Sequence, residues 1–189
     1  MFHAIADEMT VCASFPPIAR SDARLLILGS LPGAESLARQ RYYAKPQNSF
    51  WRIMGALVGA GPELDYDARC QRLIDSHLAL WDVCATAYRE GSLDSAIRSP
   101  TFNDFSTFFT THPAIIRICF NGRAAESLFV RHVLPVSDAA IGRIERVILP
   151  STSPAHAGMS FDAKLQCWRQ GLAGVIASLP QESVEGSSD

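Results

Sequence analysis

The chain has 189 residues, 48% of them hydrophobic and 19% charged, with a formal net charge of −2. That is enough apolar chain for one ordinary domain with a real core, and it excludes a disordered or fibrous protein. There is no strong basic charge of the kind that advertises nucleic-acid binding, although a local basic rim would be enough for it. In chain order, the start "MFHAIADEMTVCASFPP" lacks the basic residues and long apolar stretch of a signal peptide, and no later run is long enough to span a membrane, so a cytoplasmic protein is expected. Four short apolar runs then read as buried strands: "RLLIL" (24–28), "LALWDVC" (78–84), "AIIRICF" (114–120) and "RVILP" (146–150). Helical patterns lie between and after them. "NSFWRIMGALVGA" puts Phe50, Ile53, Met54 and Leu57 on one face, "YDARCQRLIDSH" and "GRAAESLFVRHV" have the same spacing, and "FDAKLQCWRQGLAGVIASL" is long and amphipathic. Ser92 and Asn103 are expected as N-caps of short helices at "LDSAIR" and "DFSTFF".

Buried strands alternating with helices imply parallel pairing through crossovers. The expected fold is α/β, a three-layer α/β/α sandwich around a central four-stranded parallel sheet. It should form a single domain over residues 1–179, followed by an acidic, disordered tail at 180–189. Such sheets bind ligands at the C-terminal ends of their strands. That rule selects four segments: 29–33, 82–87, 121–122 and 151–158.

Five cysteines (Cys12, Cys70, Cys84, Cys119, Cys167) form no CxxC pair, and the five histidines show no ligand spacing, so neither metal nor cofactor is expected. Cys84 and Cys119 sit in apolar runs and read as small core residues. "GSLPG" (29–33) makes a strand-to-helix turn whose glycines allow unusual φ and close approach, with backbone N–H groups free to face an anion or a carbonyl; a tight turn without a ligand is an equal reading. No Gly-Lys-Ser/Thr follows, so it is not a phosphate-binding P-loop. Of Tyr42 and Tyr43, one ring should pack beneath the loop and Tyr43 should stack on a planar ligand. Asn48 and Asn121 each have a plain alternative as helix caps. In "PSTSPAHAG" (150–158) three hydroxyl residues and a stiffening proline suit phosphate contacts. No GxSxG elbow is present.

The segments "GSLPGAESLARQRYYAKPQNSFW" and "LPSTSPAHAG", in this order on this strand pattern, resemble the uracil-DNA glycosylase superfamily, in its hypoxanthine-DNA (deoxyinosine) glycosylase branch near the mismatch-specific branch. The resemblance runs over about residues 24–179. It implies the sandwich fold inferred above. In the mismatch-specific branch an asparagine precedes the proline of the first segment; here Leu31 stands there, and the resemblance implies that Asn48 takes over water positioning while Asn121 serves the base edge. The base-binding set is then Gly29, Ser30, Leu31, Gly33, Tyr43 and Phe50. The DNA-binding set is Ser151, Thr152, Ser153, Ala155, His156 and Lys45.

The expected substrate is double-stranded DNA carrying a deaminated base, and the expected state is a monomer. The base is flipped out of the stack. Hypoxanthine and uracil both carry a ring N–H beside a carbonyl, whereas their parents show the reverse. A carboxamide of fixed orientation, Asn121, would donate to the carbonyl and accept from the N–H. The pocket is expected to hold almost no acid or base, since no carboxylate lies between Glu35 and Trp51. Three other readings compete: Lys45 as an imine-forming nucleophile, a damaged-DNA or nucleotide binding module without turnover, and a nucleosidase acting on free nucleosides.

Overall fold

A computed structural model describes residues 11–176. The chain start and the expected tail at 180–189 lie outside the described residues, as does the expected domain end at 179. Among the described residues the strands are β1 (Val11–Ala13), β2 (Leu25–Gly29), β3 (Leu78–Asp82), β4 (Cys84–Tyr88), β5 (Arg98–Phe102), β6 (Arg117–Asn121) and β7 (Glu145–Leu149). The helices are α1 (Ala34–Arg39), α2 (Phe50–Val58), α3 (Tyr66–Asp75), α4 (Phe105–Thr111), α5 (Arg123–Leu128), α6 (Ala139–Gly142) and α7 (Phe161–Leu172).

Four strands form a parallel sheet in the order β3-β2-β6-β7. These are the four apolar runs of the sequence. Every residue of the inner strand β2 is buried, as a strand covered on both faces requires. Adjacent strand residues point to opposite faces. On β6, Cys119 gives its thiol to the Gly171 carbonyl on α7, while Phe120 packs against Phe129 beyond α5. Helices therefore cover both faces, giving the expected three layers. One layer is joined by rings of α2, α3 and α7: Phe50 against Trp168, and Trp51 against Tyr66. On the other face Trp81 meets Phe105 and Phe108 of α4, and Phe105 meets Phe129.

A second, antiparallel sheet, β1-β4-β5, was not foreseen. The run "LALWDVC" is not one strand. It leaves the parallel sheet at Asp82 and enters the antiparallel sheet at Cys84. β1, "VCA", is too short to stand out, and β5 is the partly exposed edge strand "RSPTF", where a proline is tolerated. Asn103 is not the cap of α4; Asp104 is, accepting the Thr107 N–H at 3.0 Å. Asn103 instead donates to the carbonyls of Asp82 and Cys84 and pins the strand switch. Ser92 does not cap its own segment, where only a short 3₁₀ turn forms at Asp94–Ala96; its hydroxyl accepts the N–H of Ala34 at the start of α1. α7 ends at Leu172, short of its apolar pattern.

Candidate active site

The C-terminal ends of β2, β3, β6 and β7 open onto a cavity of about 210 Å³. That is below the range of about 300–1,000 Å³ that holds drug-sized ligands, and it suits a single heterocycle. All four segments selected by the strand-end rule contribute to its wall: Gly29 to Gly33, Asp82, Asn121, and Ser151 to Ala155, joined by Tyr43, Lys45 and Asn48. Asn48 and Asn121, far apart in sequence, thus meet in one concavity.

One wall is neutral and tightly bonded. Asn121 donates both amide hydrogens, to the Tyr43 hydroxyl at 2.9 Å and to Thr152 Oγ1 at 2.9 Å, and its Oδ1 accepts the Thr152 N–H at 2.9 Å. The backbone N–H of Thr152 fixes which end of the amide is oxygen. The expected lock on this carboxamide is therefore present, but both donors are spent on it. Only the second lone pair of Oδ1 remains for a ligand, so the donor half of the expected base reading is not available in this arrangement. Asn48 precedes the N-cap residue Ser49, and its Oδ1 accepts the Phe50 N–H at 3.0 Å. It orients the helix start and lines the cavity at once.

Tyr42 is the ring that packs beneath the loop: it is 3% exposed and its hydroxyl donates to the Phe15 carbonyl. Tyr43 has a left-handed backbone (φ 52°), lines the cavity and lies stacked on Phe50, with ring centroids 4.1 Å apart. Burial and the neighbouring Asp82 push its phenol far above the usual range, so it stays protonated. Phe50, expected to touch the base, has no exposed surface and is wedged among Tyr43, Trp51 and Trp168. It supports the wall from behind.

Thr152, expected at the DNA surface, is 1% exposed. It ties the 151–158 loop to α2 by accepting from the Ser49 N–H and hydroxyl, and to β6 through Asn121. Ser151 and Ser153 accept N–H bonds within their own loop, from Ser153 and Ala155, which leaves each hydroxyl proton able to meet a phosphate. Ala155 is exposed on the cavity rim, as is Lys45. His156 does not line this cavity. It faces an adjoining hollow lined also by Arg52 and by the buried Lys164, whose ammonium donates to the His156 carbonyl at 3.3 Å.

The opposite wall corrects the expectation of a pocket without acid or base. Glu35, Asp82 and Asp94 all line it. Asp82, at the end of β3, is 4% exposed; its Oδ2 accepts from the Ser14 hydroxyl at 3.1 Å, and among the described residues its Oδ1 carries no hydrogen bond. Burial raises its carboxyl to about 7, with Asp94 adding to the rise and Ser14 and Arg89 opposing it. Asp82 lies outside the first motif but within the 82–87 segment that the strand-end rule selects. Gly29 is explained by this neighbour rather than by φ. A Cβ there would lie 2.5 Å from Asp82 Oδ1 and 3.0 Å from the Tyr43 hydroxyl. Gly33 has an ordinary φ of −69° and lies close to Ser92.

Arg89 was also missed, because nothing local in "AYREG" marks it. It is 2% exposed, and its guanidinium donates to the carbonyls of Leu31, Pro32 and Gly91. With those carbonyls turned toward Arg89, the 29–33 turn is held rigid; Ser30 is tied in addition to Asp94. Leu31 packs into a small core with Cys12, Cys84 and Ala87 beneath the antiparallel sheet.

The sequence profile of the uracil DNA glycosylase superfamily matches residues 16–171. The chain belongs to the uracil DNA glycosylase superfamily. A hypoxanthine DNA glycosylase of Methanosarcina acetivorans is 41% identical over 112 residues, covering 59% of this chain and 71% of the relative. One from Methanosarcina barkeri is 36% identical over 110 residues, covering 58% and 70%. A solution NMR structure from Methanosarcina acetivorans, described as a uracil DNA glycosylase, superposes with a TM-score of 0.70 at 34% identity, over 84% of this chain and 94% of that one. This superfamily member shares the fold of that structure. Among its described residues no helix is long and apolar enough to cross a membrane.

Proposed function

We propose that the chain is a monofunctional DNA glycosylase that releases hypoxanthine from deoxyinosine in duplex DNA, with uracil or xanthine as further candidates. The observation that carries this reading is the cavity at the strand ends, where Asn48, Asn121 and Tyr43 meet a rigid hydroxyl-bearing loop. The names of the two Methanosarcina relatives supply the lesion. A damaged base leaves the stack at a cost of about a few kcal/mol, less than a paired one. Ser151, Ser153 and Lys45 hold the backbone, while Ala155 and His156 meet the duplex.

In the cavity the ring N–H of the lesion faces Asn121 Oδ1, whose orientation Thr152 enforces. Adenine presents a lone pair at that ring position and leaves Oδ1 unpaired, a penalty that rejects it. The lesion's carbonyl meets the 29–33 turn. There, among the described residues, the N–H groups of Leu31 and Gly33 have no acceptor. Tyr43 lies against the base plane, backed by Phe50. Asn48 orients the attacking water; an amide supplies position rather than proton affinity. Lys45 contacts phosphate from the rim.

The deciding experiment is single-turnover incubation of excess enzyme with duplexes bearing deoxyinosine, deoxyuridine or deoxyxanthosine, with free deoxyinosine as a control. Release of hypoxanthine from the duplex alone is expected. A folded protein that binds the duplex and releases no base over hours is a binding module, and release from the free nucleoside makes it a nucleosidase.

A further inference from the structure

The cavity holds three carboxyl groups for which the mechanism above has no use: Glu35 pairs with Arg39, Asp94 accepts from the Ser30 hydroxyl, and Asp82 alone turns an unbonded oxygen to the cavity. Asp82 is buried at the end of β3, its Oδ1 free of hydrogen bonds among the described residues, on the wall facing the Asn121 amide. Burying a carboxyl is costly, and elsewhere in the fold polar groups of this depth are bonded: Thr152 to Asn121, and Arg89 to three carbonyls. The chain also gives up a side chain at position 29 so that the Asp82 oxygen can approach the β2 terminus, since any Cβ there would collide with it. A residue with only a structural role in the core would not need its unpaired oxygen aimed at a cavity.

We propose that Asp82 is a catalytic residue: in its neutral carboxylic-acid form it hydrogen-bonds to the flipped base and transfers its proton to that base as the glycosidic bond breaks. This rests on the glycosylase reading above. The electron balance is simple. The bond between base and sugar breaks with its electron pair going to the base, and the base takes the proton from Asp82. Water adds to the sugar cation at the position that Asn48 sets, and its released proton passes to solvent or back to the Asp82 carboxylate. The sum is hydrolysis, with no other reactant. A purine is a poor leaving anion, so a proton donor lowers the barrier where an amide alone cannot. The gain typical of such a positioned acid is about 10²–10⁴ in rate.

The surroundings favour the neutral form. The charged and titratable groups bearing on Asp82 are Arg89 directly after β4, Asp94 on the 3₁₀ turn, Tyr42 and Tyr43 from the loop after α1, and Cys84 on β4. The tyrosines and the thiol are neutral because burial pushes all three upward. Arg89 spends its guanidinium on carbonyls and opposes only part of the desolvation, so the Asp82 carboxyl stands at about 7, where an acid both holds its proton and gives it up.

The test is the single-turnover rate of hypoxanthine release from a deoxyinosine duplex between pH 5.5 and 9, for the full chain and for Asp82→Asn. The wild-type rate should be level at low pH and fall about tenfold per pH step above about 7. Asp82→Asn should lose about 10²–10⁴ at pH 6, show a flat profile and still bind the duplex. A 5-fluorouracil lesion, whose anion leaves without help, should lose far less in the same variant. Ser14→Ala, which removes the bond that lowers the Asp82 carboxyl, should move the falling limb to higher pH and keeps the test open should Asp82→Asn fail to fold. A wild-type profile with no fall between pH 6 and 9, or an Asp82→Asn that retains that fall or slows both lesions alike, overturns the proposal and leaves the glycosylase reading standing. A wild type that releases no base at any pH overturns both.

Discussion

The two walls of the cavity are built on opposite plans. On the β6–β7 side, Asn121, Thr152, Tyr43 and Ser49 are tied to one another by neutral hydrogen bonds in which Asn121 spends both its donors, while the Tyr43 and Thr152 hydroxyls accept. On the β2–β3 side, Asp82 keeps an oxygen unpaired, Gly29 has no side chain, and rigidity is imported from Arg89. Such a network holds its shape and discriminates through the Asn121 oxygen, whose orientation it fixes. An under-satisfied wall keeps a group ready to react. Shape and chemistry are thus divided between two strand pairs of one sheet, and substitutions on the two sides should fail in different ways.

Apart from Asp82→Asn, the largest effect is expected between the walls. Asn48→Ala should reduce single-turnover base release by about 10²–10³ while the variant still binds lesion-bearing duplex, because water positioning is lost together with only one bond, to the Phe50 N–H; unchanged turnover moves catalysis elsewhere. Gly29→Ala should cost about 10² in rate, since a Cβ displaces Asp82 or the Tyr43 hydroxyl and small misplacements are expensive; a rate within twofold of wild type would mean that the close approach is unimportant.

On the β6–β7 side, Asn121→Ala strands the Thr152 N–H and should lower unfolding stability by about 1–3 kcal/mol, measured by urea denaturation, whereas Tyr43→Phe removes a single bond and should cost about 0.5–1.5 kcal/mol. On the reactive side the stability effect should have the opposite sign. A buried carboxyl that titrates at about 7 holds its proton in the native state when the unfolded chain, with its lower carboxylate range, has released it. Native stability therefore falls as pH rises between those two values. Asp82→Asn should then gain in melting temperature relative to wild type at pH 8 compared with pH 5, and equal differences at both pH values would dissolve the contrast between the walls. The smallest effect is at the rim. Lys45→Met should reduce the salt slope of DNA binding by about 1, and borohydride should trap no covalent adduct with the wild type.

Much of the sheet was legible because a strand buried on both faces must be almost wholly apolar, and β2, β3 and β6 stood out for that reason; β7, expected to be buried, is an edge strand exposed at Glu145, Arg146 and Ile148. The antiparallel sheet was not, since "VCA" and "RSPTF" are short, half exposed and without period. The same limit applied at the site. Asn48, Tyr43 and the 151–158 loop lie within contiguous motifs that can be read locally. The deep placement of Phe50 and Thr152 cannot, because burial depends on what packs over a residue from elsewhere in the chain.

The amino-acid order by itself determined the four strands of the parallel sheet and the longer helices, and that the strand C-terminal ends carry the chemistry-bearing residues, since periodicity and strand-end position are local properties. Only the tertiary structure decided that Asn121 spends its donors on Tyr43 and Thr152, that Arg89 grips the 29–33 turn, and that Asp82 lies against Gly29 with an oxygen to spare. Those are distances between residues tens of positions apart. The free energy of a buried polar group depends on such distances, which no stretch of sequence contains.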